Sequence, residues 1–233
     1  MNKLLNIAIA SLTFGATAAN AVVTISVEAP GVEQSTQTLM APVMATFNAL
    51  TPGIQSAISL TAGGTVATID TVNVLGADRY GGAGGTGRYA AVLSGKTTTI
   101  TFSGSPASYF GFYASAIDAG STVTVFSGST QVYTHSLPLV PIVAGNFGNP
   151  DAPFTGQNSF QGYAFFNVNS STPITSVVFS QAATGGNFEF DNLTITGMNT
   201  IPAVPEPASW ALMVTGFAMI GFSIRRRTSY AAA

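Results

Sequence analysis

Glu189 and Asp191 stand two residues apart in Phe188-Glu189-Phe190-Asp191-Asn192-Leu193. In a strand, alternate side chains share a face, so the two carboxyls would lie roughly 7 Å apart, a spacing that a glycoside-cleaving acid pair would accept. Any exposed strand edge offers the same spacing, and no second catalytic feature accompanies it. The chain holds one histidine, His135, at the end of an apolar run and without a G-x-S-x-G segment, so it reads as a sheet-surface residue and not as a triad base. His-based zinc sites are excluded by that single histidine, and thiolate sites by the lack of cysteine. Gly82 to Gly87, followed by Arg88, imitates a G-x-G-x-x-G or P-loop signature. Both signatures must open a helix, yet Tyr89 to Gly95 runs into a strand and a turn. The expected role is a flexible glycine loop presenting Asp78, Arg79 and Tyr80. The chain is accordingly read as a non-enzyme, with a secreted glycan-active enzyme as the remote alternative.

Two binding chemistries remain. Asp78, Asp118, Asp191 and Asn192, with Asp151, fall in or beside expected loops, where calcium collects carboxylate and amide oxygens. The competing reading is that they are turn formers bonded to their own backbone. Tyr109 and Tyr113 share one face of an expected strand and would offer rings to a sugar, while Phe110 and Phe112 face the other way. No cofactor is required beyond that structural calcium ion.

The elements that must carry these residues are short strands. Runs at 22–27, 88–93, 97–102, 109–114, 122–126, 131–134, 163–168, 174–179 and 188–196 are rich in β-branched and aromatic residues and are separated by Gly, Ser, Asp and Asn turns. Such spacing predicts an all-β, jelly-roll-like β-sandwich over residues 22–197. One stretch, Leu39 to Leu50, places Leu39, Val43, Phe47 and Leu50 at helical spacing and is expected as a helix. Charged residues are only 7% of the chain. Of seven basic residues, Lys3 and Arg225 to Arg227 lie at the ends, leaving Arg79, Arg88 and Lys96 against eight acids in between. That negative balance excludes a nucleic-acid partner.

The flanks read as addresses. Residues 1–21 combine Lys3, an apolar run and Ala19-Asn20-Ala21, a secretory signal peptide expected to use the Sec translocon and to be cut by signal peptidase after Ala21. After a linker at 198–204, residues 208–224 are uncharged and apolar, about 25 Å as a helix and enough for a short transmembrane span. Arg225, Arg226 and Arg227 would stay cytoplasmic, so the preceding domain lies outside the inner membrane. A six-residue tail, 228–233, follows.

Pro205-Glu206-Pro207, then Trp210-Ala211, the apolar span and the arginine cluster resemble the PEP-CTERM sorting signal in its PEPxxWA variant. The Tyr109 to Asp118 and Phe188 to Leu193 stretches, with the glycine loop, resemble the ectodomains of exosortase-dependent surface proteins. The resemblance implies an exported bacterial protein, tethered in the inner membrane with its ectodomain in the periplasm. Exosortase would then process it and release it to the cell surface or outside. It also implies a structural or adhesive role among exopolysaccharide in a biofilm, with a carbohydrate-binding module as the alternative. The two prolines keep the motif extended and short of backbone donors, a form that a processing enzyme can grip.

Overall fold

The computed structural model describes residues 21–39, 42–62, 65–104, 106–137 and 145–197, together with Thr215. By contact the chain divides into two compact units, Met1–Gly197 and Met198–Ala233. The first is all-β. Its strands are β1 (Val23–Val27), β2 (Val43–Ala45), β3 (Gly53–Ala62), β4 (Thr65–Gly76), β5 (Arg88–Val92), β6 (Thr97–Gly104), β7 (Ala107–Ile117), β8 (Ser121–Ser127), β9 (Thr130–Ser136), β10 (Gly162–Ile174), β11 (Ser176–Gln181) and β12 (Phe188–Gly197). They form one sheet in the order β1-β10-β7-β12-β5-β4-β6-β11-β8-β9, with β2 added to β12 and β3 to β4.

The sheet folds over on itself into a sandwich, and two places make the fold. In β4, Asn73 to Gly76 pair with β5 while Thr65 to Ile69 pair with β6, so one strand serves both layers. At Thr175 the chain leaves β10 for β11, and this residue anchors the corner by donating its backbone N–H to the Phe126 carbonyl at 2.9 Å. The expected strand at 174–179 is therefore β11 from Ser176 onward, and Ile174 is the last residue of β10. Alternation then fills the space between the layers. Phe110 and Phe112 on β7, Phe166 on β10, and Phe188 and Phe190 on β12 all point inward from one layer. Phe179 on β11 meets them from the other, its ring centroid 4.8 Å from each of Phe112, Phe188 and Phe190. Tilted and edge-on aromatic contacts of this kind add about 0.5–1.5 kcal/mol per pair to the burial of the rings.

Leu39 to Leu50 is not a helix. Val43–Ala45 pairs with Ile195 to Leu193 of β12, and Phe47 packs edge-on against Phe190 at 5.5 Å. The physical reason is that β5 covers only Phe188 to Phe190 on that side of β12, so the rest of the edge is open to a strand. A residue series with Pro42 and β-branched neighbours gains more from that edge than from helix formation. The hairpin of β3 and β4 also goes beyond the sequence-based expectation. Among the described residues no helix is long and apolar enough to cross a membrane, and the expected span at 208–224 lies outside them except for Thr215. The signal-peptide residues before Ala21 are likewise outside them.

Candidate functional site

The side chains that alternation turns away from the phenylalanine core should meet water, but in β7, β10 and β12 they do not. Tyr109, Tyr113 and Ser115 of β7, Tyr163, Phe165 and Asn167 of β10, and Glu189 and Asp191 of β12 are all nearly fully buried. Three segments cover this second face: 28–39, the glycine loop at 77–87, and the long connection at 145–161. The result is a thin polar layer between sheet and loops, in which every buried donor and acceptor needs a partner.

At one end Asn167 is the hub. Its Oδ1 accepts from the Tyr109 hydroxyl at 2.6 Å and from Ser35 Oγ at 2.7 Å, and its Nδ2 donates to Glu28 Oε1 at 2.8 Å. Glu28 also accepts from the Thr36 amide at 2.9 Å and the Thr36 hydroxyl at 2.7 Å. Burial alone would raise the Glu28 carboxyl, but the Thr36 and Asn167 donors outweigh it and hold it below the ordinary carboxylate value. Burial pushes the Tyr109 phenol up to about 12. Gly111 is a spacing requirement here, because an added Cβ would sit 2.7 Å from the Phe165 ring that crosses it.

In the middle the loops are pinned to the sheet. The Arg79 carbonyl accepts from Tyr163 at 2.7 Å, Asn158 at 2.7 Å and Asn149 at 3.2 Å. Asp78 Oδ1 closes its own turn by accepting from the Tyr80 and Gly81 amides, and it accepts from the Tyr89 hydroxyl at 3.1 Å. The glycine loop is thus largely a packed cover. Arg79 and Tyr80 stand exposed at its tip, as expected, with the Arg79 guanidinium 4.6 Å over the Tyr80 ring, and Gly84, Thr86 and Gly87 are exposed on its outer side.

At the other end the carboxyls gather. Asp191 Oδ2 accepts from the Ala83 amide at 3.2 Å and its Oδ1 from the Asn192 amide at 2.8 Å, yet burial lifts it to about 6. Burial, reinforced by the charges of Asp118 and Asp78, pushes Glu189 up to about 9. Glu33 is raised to about 7 by burial and by the Asp151 carboxyl facing it. Tyr113 OH, Ser115 Oγ and Glu189 Oε2 are buried without a hydrogen-bond partner.

Sequence reasoning correctly placed Glu189 and Asp191 on one face and Phe188 and Phe190 on the other. It expected that face to be accessible, and the loops close it. Tyr109 and Tyr113 are 2% and 1% exposed, so neither ring can stack on a sugar, which corrects their reading as a platform. The expected calcium set is also dispersed. Asp78 is spent in its turn, and Asp118 bridges the Gln161 amide at 2.8 Å and the Gly186 amide at 3.1 Å, while Asp191 and Asn192 sit under the glycine loop. Among the described residues no three His, Asp or Glu side chains stand ready around a single metal position. His135 lies on β9 with Nδ1 3.0 Å from the Tyr133 hydroxyl and its ring stacked on that tyrosine. Ala21 is half-buried just before β1, whereas Ala19 and the motif residues Pro205, Glu206, Pro207, Trp210, Ala211 and Arg225 to Arg227 lie outside the described residues.

Residues that carried no sequence signal matter more. Glu28 meets Asn167, and Glu33 meets Asp151, only through tertiary contact. On the surface, a cavity of about 270 Å³ is lined by Ile117, Asp118, Ala119, Phe147, Phe160, Gln161 and Gly162. Phe147 and Phe160 are 53% and 78% exposed at its rim, and the Gln161 side-chain Oε1 is buried without a partner.

Comparison with known proteins agrees with the C-terminal reading. No curated protein gives a significant match to the chain. Among solved structures it is similar to the K2 cleaved adhesin domain of Lys-gingipain, at TM-score 0.40 and 12% identity, covering 67% of this chain and 99% of that one. It is also similar to the catalytic domain of GH87 alpha-1,3-glucanase in complex with tetrasaccharides, at TM-score 0.33 and 15% identity, covering 67% of this chain and 31% of that one. Neither likeness bears on function. Residues 203–227 match the model of the PEP-CTERM protein-sorting motif. The chain therefore carries a PEP-CTERM sorting signal, which marks it for exosortase-dependent passage to the extracellular side.

Proposed function

We propose that this protein is a structural or adhesive component of the bacterial surface or of an extracellular polysaccharide matrix, delivered there by exosortase processing. The observation that carries the reading is the sorting signal at 203–227. The β-sandwich fits the role, because its polar residues are spent in fixing loops to a sheet and Glu189 and Asp191 are sealed from any substrate. No enzymatic step is assigned to it. Glu206 and its flanking prolines present the signal, the apolar span tethers the chain until processing, and signal peptidase and the Sec translocon act before. Mass spectrometry of the released protein tests this: no peptide covering 208–224 should be recovered, and Glu206→Ala should shift the protein into the membrane fraction. Recovery of the intact C-terminus from mature surface protein would overturn the reading.

A second reading, carbohydrate binding, is favoured by the cavity at Phe147 and Phe160. Two exposed rings beside a carboxylate and an amide are what a sugar needs, with apolar faces for its C–H groups and planar acceptors for its hydroxyls. Affinity electrophoresis in polysaccharide gels should then show retardation that Phe160→Ala abolishes and that Tyr109→Phe leaves in place. Equal mobility of wild type and Phe160→Ala in every gel would remove this reading.

A further inference from the structure

Three acids from three separate parts of the chain converge on three consecutive residues of the glycine loop. Asp191 accepts from the Ala83 amide at 3.2 Å. A Cβ at Gly84 would lie 3.3 Å from Glu33 Oε2, and one at Gly85 would lie 3.4 Å from Asp151 Cβ. The Glu33 and Asp151 carboxyls face each other within hydrogen-bonding reach. The Glu33 backbone is fixed from the sheet side by Asn192 Nδ2, which donates to its carbonyl at 3.0 Å.

Among the described residues no base is paired with this charge. Arg88 is spent on the Asn48 carbonyl at 3.0 Å and on that of Leu50, and Arg79 lies over Tyr80. An independent sign comes from beneath. The Tyr113 hydroxyl is directed at Asp151, is 1% exposed, and makes no hydrogen bond of normal geometry. Two facing carboxylates, a third acid behind them and an unpaired phenol oxygen form an oxygen-rich position that is costly to leave without a positive charge.

We infer that Glu33 and Asp151 bind a calcium ion against the Ala83-Gly84-Gly85 turn, with Asp191 adding charge from the sheet and the Tyr113 oxygen closing the floor. Calcium suits this position because it accepts oxygen ligands of mixed kind at irregular angles and completes its shell with carbonyls and water. This set overlaps the loop aspartates singled out by sequence: Asp151 and Asp191 were among them, Glu33 is added, and Asp78 and Asp118 take no part. The ion would clamp segments 28–39 and 145–161 to the glycine loop.

The test uses the full chain, purified in detergent and stripped with EDTA. Calorimetric titration with calcium chloride should show one saturable site with a dissociation constant on the order of 10⁻⁴ to 10⁻³ M, as for extracellular calcium modules. Calcium at about 5 mM should raise the melting temperature by roughly 3–8 °C. Glu33→Gln and Asp151→Asn should melt in EDTA at or above the wild-type temperature, because a facing charge has gone, and should lose the calcium-induced rise. Asp70→Asn, which changes an exposed carboxylate on β4, should keep it. Absence of saturable calcium uptake by the wild type would overturn the inference. So would a calcium-induced rise in both variants equal to that of the wild type.

Discussion

At Asn167 a single amide joins two hydroxyls and one carboxylate beneath a loop. Its partner Glu28 carries a pH signature of known sign. The folded carboxyl sits below its ordinary value, because donated hydrogen bonds from Thr36 and Asn167 exceed the effect of burial. A carboxyl lowered in the folded state adds stability above the unfolded value of about 4.3, and that contribution disappears as pH falls through the folded value. Urea unfolding of wild type and Glu28→Gln should therefore show a gap of about 1.5–3 kcal/mol at pH 7 that narrows towards pH 3. A gap independent of pH would show that the charge on Glu28 is not what the network holds. At this scale the sequence was readable only in part. The facing of Glu189 and Asp191 followed from strand alternation, which is local. Whether that face met water depended on segments 28–39 and 145–161, which are remote in sequence and carry no period of their own.

Elements were legible where aromatic alternation is strong. Tyr109 to Tyr113 and Phe188 to Phe190 announce β7 and β12 because every second residue is a large ring. The β3 and β4 hairpin was not, because β3 is mostly exposed and carries Ser, Thr, Gln and Ala, whose pattern is weak. Its Ala57 has φ 54°, yet the pairing runs from Ser56–Thr71 to Ile58–Ile69 without a shift of register. In β12 the register does shift. Asn192, at φ 47°, inserts an extra residue so that Leu193 and Ile195 return to the core after Asp191 has pointed away. The glycine loop misled in the opposite sense, since its glycines serve contact and not mobility. Gly85 has φ 67°, and a Cβ there would stand 2.0 Å from the Ala152 carbonyl oxygen. Gly85→Ala should cost about 1–3 kcal/mol from crowding, with strain from the positive φ in addition, read as a lowered urea midpoint. A midpoint equal to that of the wild type would mean that the loop floats free of segment 145–161.

At the scale of the whole molecule, one residue reports on the joining of the two layers. Phe179 is the ring from β11 that touches four phenylalanines of the opposite layer. Phe179→Ala should lose about 3–5 kcal/mol in equilibrium unfolding, because the neighbours are held by two layers and cannot collapse into the void. A loss under about 1 kcal/mol would show that the layers are not stitched at this point. The sandwich class itself was legible, since many short strands with few charges have no other way to bury their apolar faces. The order of the strands was not, because a strand's alternation says which face is inside and nothing about its neighbour.

That order has a consequence for the proposed route, on which the chain crosses a membrane from its N-terminal end. β12, the last strand in sequence, does not lie at a margin but between β7 on one side and β5 and β2 on the other. Until Phe188–Gly197 arrives, β5 and β7 face each other across a missing strand, with their hydrogen-bonding edges unsatisfied and two of the core rings absent. The partly threaded chain thus has no finished fold to fall into. On the proposed route it would stay open while it passes through a narrow conduit, and it would close like a zip whose final tooth lies a few residues before the sorting signal.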